Sequence, residues 1–261
     1  MADPGTLRRA LGARGVGWPA SIEWHDALAS TNDRAKTLAR DGAAEWTTVL
    51  ADIQTGGRGR EGRGWVSPAG GVYLSVLLRP DFPHVSVLPL AAGVAVADAV
   101  AELGVEAALK WPNDVQLAGR KLGGILAEAA SGPSGVEWVV VGIGVNVAVR
   151  LSAFPVELRG TIASLAEGGG APGVASVAAS LLAWLRVWYD AAGSSPASVV
   201  AAWRRRAVAW WGETVEIRMG RETLRGRLVD VDDEGALLVA TPDGHTRRVV
   251  SGEVVQLRRA G

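Results

Sequence analysis

The chain has 261 residues, 48% apolar and 21% charged, the balance of a folded globular protein rather than a disordered one. Its 27 basic and 27 acidic side chains cancel, which removes any global electrostatic pull toward nucleic acid or anionic lipid. It has no cysteine, so disulfides, thiolate zinc sites and a cysteine nucleophile are excluded.

No basic segment leads into an apolar core at the N-terminus, and no apolar run reaches ~18 residues. A cytoplasmic protein without a membrane partner is expected. Residues 1–20 carry glycine, proline and arginine without a clear period, and Met1 to Gly5 are expected to fray. Ser30-Thr31-Asn32-Asp33 is a run of helix-capping types, followed by a short helical segment that Gly42 ends. Those polar residues act as caps alone or also contact a ligand.

Trp46 to Ile53 reads as a strand that delivers Gln54 and Thr55 to the stretch Gly56-Gly57-Arg58-Gly59-Arg60-Glu61-Gly62-Arg63-Gly64-Trp65. Glycine density forbids a stable helix or strand there, while glycine N–H groups and arginine forks suit an anion. Val72 to Leu78 is the strand beyond, stopped by Pro80, so binding residues would sit on a loop between two strands.

Ser86 to Leu103 reads as a buried apolar helix with Gly104 as its end signal. After Lys110-Trp111-Pro112-Asn113-Asp114 and a turn at Ala118-Gly119-Arg120, Lys121 to Glu128 reads as a returning strand. Its Gly123-Gly124 step requires close approach of another backbone or a ligand. Trp138 to Val149 is a further apolar strand holding Gly142, Gly144 and Asn146. A glycine-rich connector at Glu167 to Gly173 precedes two helices, Val174 to Tyr189 and Pro196 to Val208. From Gly212 short alternating strands at 214–219, 224–231, 236–240 and 247–250 read as a small β-barrel module.

The loop superficially matches the dinucleotide fingerprint at Gly57, Gly59 and Gly62, but turn residues follow where a helix must begin. No P-loop lysine and no nucleophile elbow occur. Single-stranded nucleic-acid binding by an arginine–glycine segment finds no extended basic stripe to support it. His25, His84 and His245 form no metal pattern and read as surface or packing residues. Chemistry without a side-chain nucleophile fits best: adenylyl or phosphoryl transfer, in which positioning and charge neutralisation do most of the work. Lys121 beside the double glycine is either a solvated lysine or part of that site.

Taken together and in order, these segments resemble the biotin–protein ligases of the short type without a DNA-binding repressor domain. The matching stretches are Ser30-Thr31-Asn32, Gln54 to Trp65, Tyr73-Leu74-Ser75, Lys110 to Asp114, Lys121 to Leu126 and Gly142 to Asn146. The resemblance implies an α+β protein. A central mixed sheet flanked by helices, of the class II aminoacyl-tRNA synthetase-like biotin–lipoate ligase fold, would occupy residues 1–211. A small SH3-like β-barrel would occupy residues 212–261.

It further implies that ATP and biotin, with Mg²⁺, give biotinyl-5′-adenylate, and that biotin then passes to a lysine of a biotin carboxyl carrier protein or acyl-CoA carboxylase subunit. By the same resemblance Ser30, Thr31 and Gln54 would bind the ureido ring, with Asn32 and Gly123 on the biotin side. Arg58, Gly59 and Arg60 would line biotin and the phosphate, Arg60 retaining the intermediate, and Lys121 would contact the reacting carboxylate and α-phosphate. Arg63, Asn113, Asp114 and Asn146 would serve the nucleotide, and Trp65 would pack on adenine. Metal ligands stay unassigned. No DNA partner is expected, and a monomer or weak homodimer is. A lipoate ligase or transferase of the same superfamily, or a non-catalytic RNA-associated binder, are the alternatives.

Overall fold

The computed structural model describes residues 3–133, 135–168 and 172–256. Residues 169–171 of the expected connector, and residues 257–261 at the end of the expected terminal module, lie outside the described residues.

The elements are α1 (Pro4–Gly12), β1 (Ser21–Leu28), α2 (Thr31–Arg40), β2 (Thr47–Gln54), β3 (Gly71–Leu78) and α3 (Leu88–Ala101). They continue with β4 (Ala108–Lys110), β5 (Asp114–Leu117), β6 (Arg120–Gly132), β7 (Gly135–Asn146), α4 (Val174–Ser194) and α5 (Pro196–Arg206). Strands β8 (Thr214–Met219), β9 (Glu222–Val231), β10 (Leu237–Ala240), β11 (Thr246–Val249) and β12 (Glu253–Gln256) complete them.

One sheet has seven strands in the order β1-β2-β3-β7-β6-β5-β4. Only β1 and β2 run parallel; every other neighbouring pair is antiparallel. The sheet is therefore mixed and flanked by helices, an α+β fold as expected. Both faces are covered, and the period of two along the strands shows how. Val72, Leu74 and Val76 of β3, with Val139, Val141 and Ile143 of β7, face a large core shared with α1, α3, α4 and α5. Leu77, Trp138 and Val140 face the other way and pack under Ala35 and Ala39 of α2. Helix α3 lies inside the large core and is buried nearly all round, which is why it carries almost no polar face.

Three elements were not legible in the sequence reading. Helix α1 occupies residues expected to be irregular, with Asp3 accepting from Gly5 N (2.8 Å) and Thr6 N (3.0 Å) as its cap. Pro4 starts it, and Leu7 and Leu11, four apart, are its buried face. Strand β1 is an edge strand on which Ile22 alone is fully buried, so it shows no alternation. Strand β12 is short and pairs with β8.

The second sheet is antiparallel, five strands in the order β11-β10-β9-β8-β12, as an SH3-like module requires. Val215, Ile217, Leu228 and Val239 from it join the large core. Arg204 donates to the Asp230 carboxylate (2.6 Å) and the Val231 carbonyl (2.8 Å) across the junction. Trp111 Nε1 donates to the Gly235 carbonyl at 3.0 Å. These contacts seat the second sheet against the first, and Glu253 of β12 reaches Arg63 of the glycine–arginine loop at 3.2 Å. Among the described residues, no helix is long and apolar enough to cross a membrane.

Candidate functional site

The α2 face of the large sheet is only partly covered. Beyond Trp138 and Val140, the next same-facing residues of β7 are Gly142 and Gly144, opposite Leu126 and Gly124 of β6 and Ser75 and Tyr73 of β3. Missing side chains make a shallow floor there. An added Cβ on Gly142 would overlap the Asn32 carboxamide, and one on Gly144 would lie 2.6 Å from Trp65 Nε1. Glycine is thus required so that Asn32 and Trp65 can lie flat on the strands. In the Gly123-Gly124 step only the first glycine is required: an added Cβ on Gly123 would lie 2.7 Å from the Gly144 carbonyl oxygen, whereas one on Gly124 would meet Trp65 at an ordinary 3.4 Å.

Over this floor lies a cleft of about 890 Å³, counting its open mouth. Residues Ser30, Thr31, Asn32, Gln54, Arg58, Gly59, Arg60, Arg63, Trp65, Asn113, Asp114 and Lys121 all line it. Two of the residues proposed from sequence do not. Gly123 pairs backbone to backbone with Val145, and Asn146 is buried at the strand end behind the wall.

At one end the polar groups form a closed chain. Ser30 caps α2 through its Oγ, which accepts from Asp33 N at 3.4 Å. Gln54 Oε1 accepts from Thr31 N (2.9 Å) and Thr31 Oγ1 (3.1 Å), while its Nε2 donates to Ser67 Oγ (3.0 Å). Ser75 Oγ reaches Thr31 Oγ1 (2.8 Å) and Asn32 Oδ1 (2.6 Å), and Asn32 Nδ2 donates to Glu128 Oε2 (2.8 Å). Glu128 also receives Lys36 Nζ (2.8 Å) and Arg58 Nη2 (3.0 Å), and Arg58 pairs with Asp33 at 2.6 Å. Burial alone would raise the Glu128 pKa, yet hydrogen bonds from Lys36 and Asn32 outweigh it and hold the carboxyl below its ordinary value.

The glycine–arginine loop crosses above. Trp65 N donates to Gly57 O (2.9 Å) and Gly59 N to Arg63 O (2.7 Å), so the loop folds back on itself. Glu61 and Gly62 at its tip both have positive φ, 56° and 74°. At the other end of the cleft, Lys121 Nζ pairs with Asp114 at 2.7 Å and stands 5.3 Å from the Trp65 ring centroid. The Lys121 backbone is fixed by bonds to Thr161 O (2.8 Å) and from Ala163 N (2.9 Å). Arg63 pairs with Glu253 at 3.2 Å, a carboxylate supplied by the terminal sheet.

Three buried side-chain atoms have no hydrogen-bond partner among the described residues: Arg60 Nη1, Trp65 Nε1 and Asn146 Oδ1. Native interiors rarely leave such atoms unpaired. Burial also pulls the Arg60 guanidinium below its ordinary pKa, with Arg63 adding to that effect and Glu61 and Asp114 opposing it.

The sequence reading placed Ser75 and Lys110 in matching stretches without giving them a role, and it missed Glu128 and Glu253. Ser75 is a lone polar residue within an apolar strand, a signal that was available. Glu253 was out of reach, because nothing local says that β12 reaches the glycine–arginine loop.

The sequence model of the "Biotin/lipoate A/B protein ligase family" matches residues 24–146, and that of the "Biotin protein ligase C terminal domain" matches residues 211–256. The biotin--[acetyl-CoA-carboxylase] ligase of Mycobacterium tuberculosis is 36% identical over 98% of this chain and 96% of its own length. The bifunctional ligase/repressor BirA of Bacillus subtilis is 36% identical over 88% of this chain and 72% of its own. Among solved structures, the biotin protein ligase from Aquifex aeolicus in complex with biotin and ATP superposes with a TM-score of 0.79 at 30% identity, covering 92% of this chain and all of that one. The chain belongs to the biotin/lipoate protein ligase family and, within it, to the biotin protein ligases.

Proposed function

We propose that this enzyme, an ATP-dependent ligase by family, activates biotin as biotinyl-5′-adenylate and transfers the biotinyl group to a lysine of a biotin carboxyl carrier protein. The observation that carries the reading is the pair of orphaned polar atoms on Arg60 and Trp65, both lining a cleft whose opposite end is hydrogen-bonded throughout. A mostly apolar vitamin with a compact polar ring suits the preformed end; a nucleotide suits the end that still lacks partners.

In the first step a biotin carboxylate oxygen bonds to the α-phosphorus while the bond to the bridging β-phosphate oxygen breaks, and pyrophosphate leaves. Two anions must approach, so Arg60 and Lys121, both lining the cleft, would stabilise the charge that builds up. Ser30, Thr31, Asn32 and Gln54 would orient the ureido ring and Trp65 would stack on adenine. Asn146, buried behind that wall, donates to the Ala163 carbonyl (3.0 Å) rather than being placed to touch the base. Asp114, its carboxylate at 2.7 Å from Lys121, and Asn113 flank the phosphates. In the second step the acceptor amine attacks the acyl carbon, AMP departs and the amine loses a proton. The folded-back loop would shield the mixed anhydride from water meanwhile.

Among the described residues there is no cluster of three metal-ligating side chains. Asp114 and Glu253 are the carboxylates that line the cleft, a set that fits Mg²⁺ carried mainly by the ATP phosphates with one carboxylate in support. Bound there, Mg²⁺ would neutralise part of the phosphate charge. The proposal includes no DNA partner.

Incubation with ATP, biotin and a purified carboxyl-carrier domain tests the reading. Covalent biotin on one carrier lysine is expected; absence of labelling at high enzyme, or equal labelling with lipoate, would overturn it.

A further inference from the structure

Lys110 ends β4 and stands opposite Asp114 across the β4–β5 hairpin. Its side chain lines the cleft beside Arg63, Gly252 and Glu253, and on its other side it lines an apolar recess with Trp203, Trp210 and Trp211. The ammonium sits 5.4 Å from the Trp210 ring centroid. No carboxylate lies within ion-pair distance of it among the described residues. Both acids nearby are taken: Asp114 pairs with Lys121 (2.7 Å) and Glu253 with Arg63 (3.2 Å). Burial lowers the Lys110 pKa, Lys121 and Arg63 add to this, and Asp114 and Glu253 oppose it. A half-buried ammonium held over a ring and lacking a counter-ion is a poor structural choice, since a π face replaces little of what water and a carboxylate provide.

We infer that Lys110 grips the β- and γ-phosphates of ATP, and the pyrophosphate they become, where the terminal sheet closes the cleft. This rests on the ligase reading above. In-line displacement puts the leaving group opposite the attacking carboxylate. Biotin, seated at the Ser30–Gln54 end, attacks from that side, so pyrophosphate departs toward the end that holds Lys110 and Arg63. Lys110 thereby acts on the first half-reaction and has no anion to hold in the second.

That asymmetry sets the test. Lys110→Met keeps the stem on the tryptophans and removes the charge. It should raise the KM for ATP, and for pyrophosphate in biotin-dependent ATP–pyrophosphate exchange, by roughly 10- to 100-fold, the range for one charge-assisted contact. Biotin affinity, and transfer to carrier from supplied biotinyl-5′-adenylate, should not change; Lys110→Arg should restore most of the exchange. In the wild type, pyrophosphate should protect Lys110 from acetylation by an amine reagent, read by mass spectrometry. Unchanged KM values in the Met variant, equal loss in both half-reactions, or no protection would overturn the assignment. A wild type with no biotin-dependent exchange would instead sink the ligase reading itself.

Discussion

The two ends of the cleft differ in how completely the protein satisfies its own polar groups. Around Thr31, Gln54, Ser75 and Asn32 an unbroken chain of hydrogen bonds runs on to Glu128 and Arg58. Around Arg60 and Trp65 single buried atoms have no partner among the described residues, and the Lys110 ammonium has no carboxylate within ion-pair distance there, only a ring. A satisfied network is rigid and costs little reorganisation on binding; an unsatisfied one lowers stability and gains most from a ligand. The first end is built for a small ligand of fixed shape, the second for a large anion that brings its own hydrogen-bond partners.

Substitutions should separate the two ends. The largest effect is expected at Lys121. Lys121→Ala removes the cation paired with Asp114 and should slow adenylate formation in a single turnover by roughly 10²–10³-fold. Biotin binding should be much less affected, and a normal single-turnover rate would remove Lys121 from the reacting centre. Arg60→Gly comes next. The buried Nη1 is lost, so adenylate should escape the loop and label bystander lysines, detected as biotin on an unrelated added protein.

Stability tells the ends apart as well. Gly142→Ala drives a methyl into Asn32 at the satisfied end and should cost about 1–3 kcal/mol by denaturant melt while weakening biotin binding. Gly124→Ala meets Trp65 at an ordinary 3.4 Å and should leave the melt nearly unchanged. Equal losses would mean that Trp65 leaves no room for a methyl on Gly124 despite the 3.4 Å contact.

The satisfied end should also be the acid-sensitive one. The Glu128 pKa is depressed in the fold, so its contribution is fully present above the ordinary carboxylate value of 4.5 and fades as pH falls through the lower folded value. Glu128→Gln should flatten that acid limb of the stability profile; an unchanged limb would place its cause elsewhere. The smallest effect is expected for Glu253→Gln. Its pair with Arg63 is roughly half exposed and should change stability by under about 1 kcal/mol.

The sequence made the loop legible because five glycines and three arginines between Gly56 and Trp65 have few structural uses. Ser30 was legible as a cap, and Lys121 as a lysine beside a glycine step that some neighbour had to explain. The neighbour proved to be the Gly144 carbonyl of the paired strand β7, which no local pattern could show. The role of Lys110, and Glu253 altogether, were hidden for another reason. Each acquires its place only when the terminal sheet docks, and that contact is made by residues far apart in the chain. Strand β1 escaped because an edge strand with one buried residue has no period to read.

The central claim is that this cleft joins biotin to a nucleotide. Isotope exchange between ATP and pyrophosphate, measured with biotin, with lipoate and with neither, tests it most directly. Exchange that requires biotin and is absent with lipoate is the expected result. Exchange without biotin, equal exchange with lipoate, or none under any condition would contradict it.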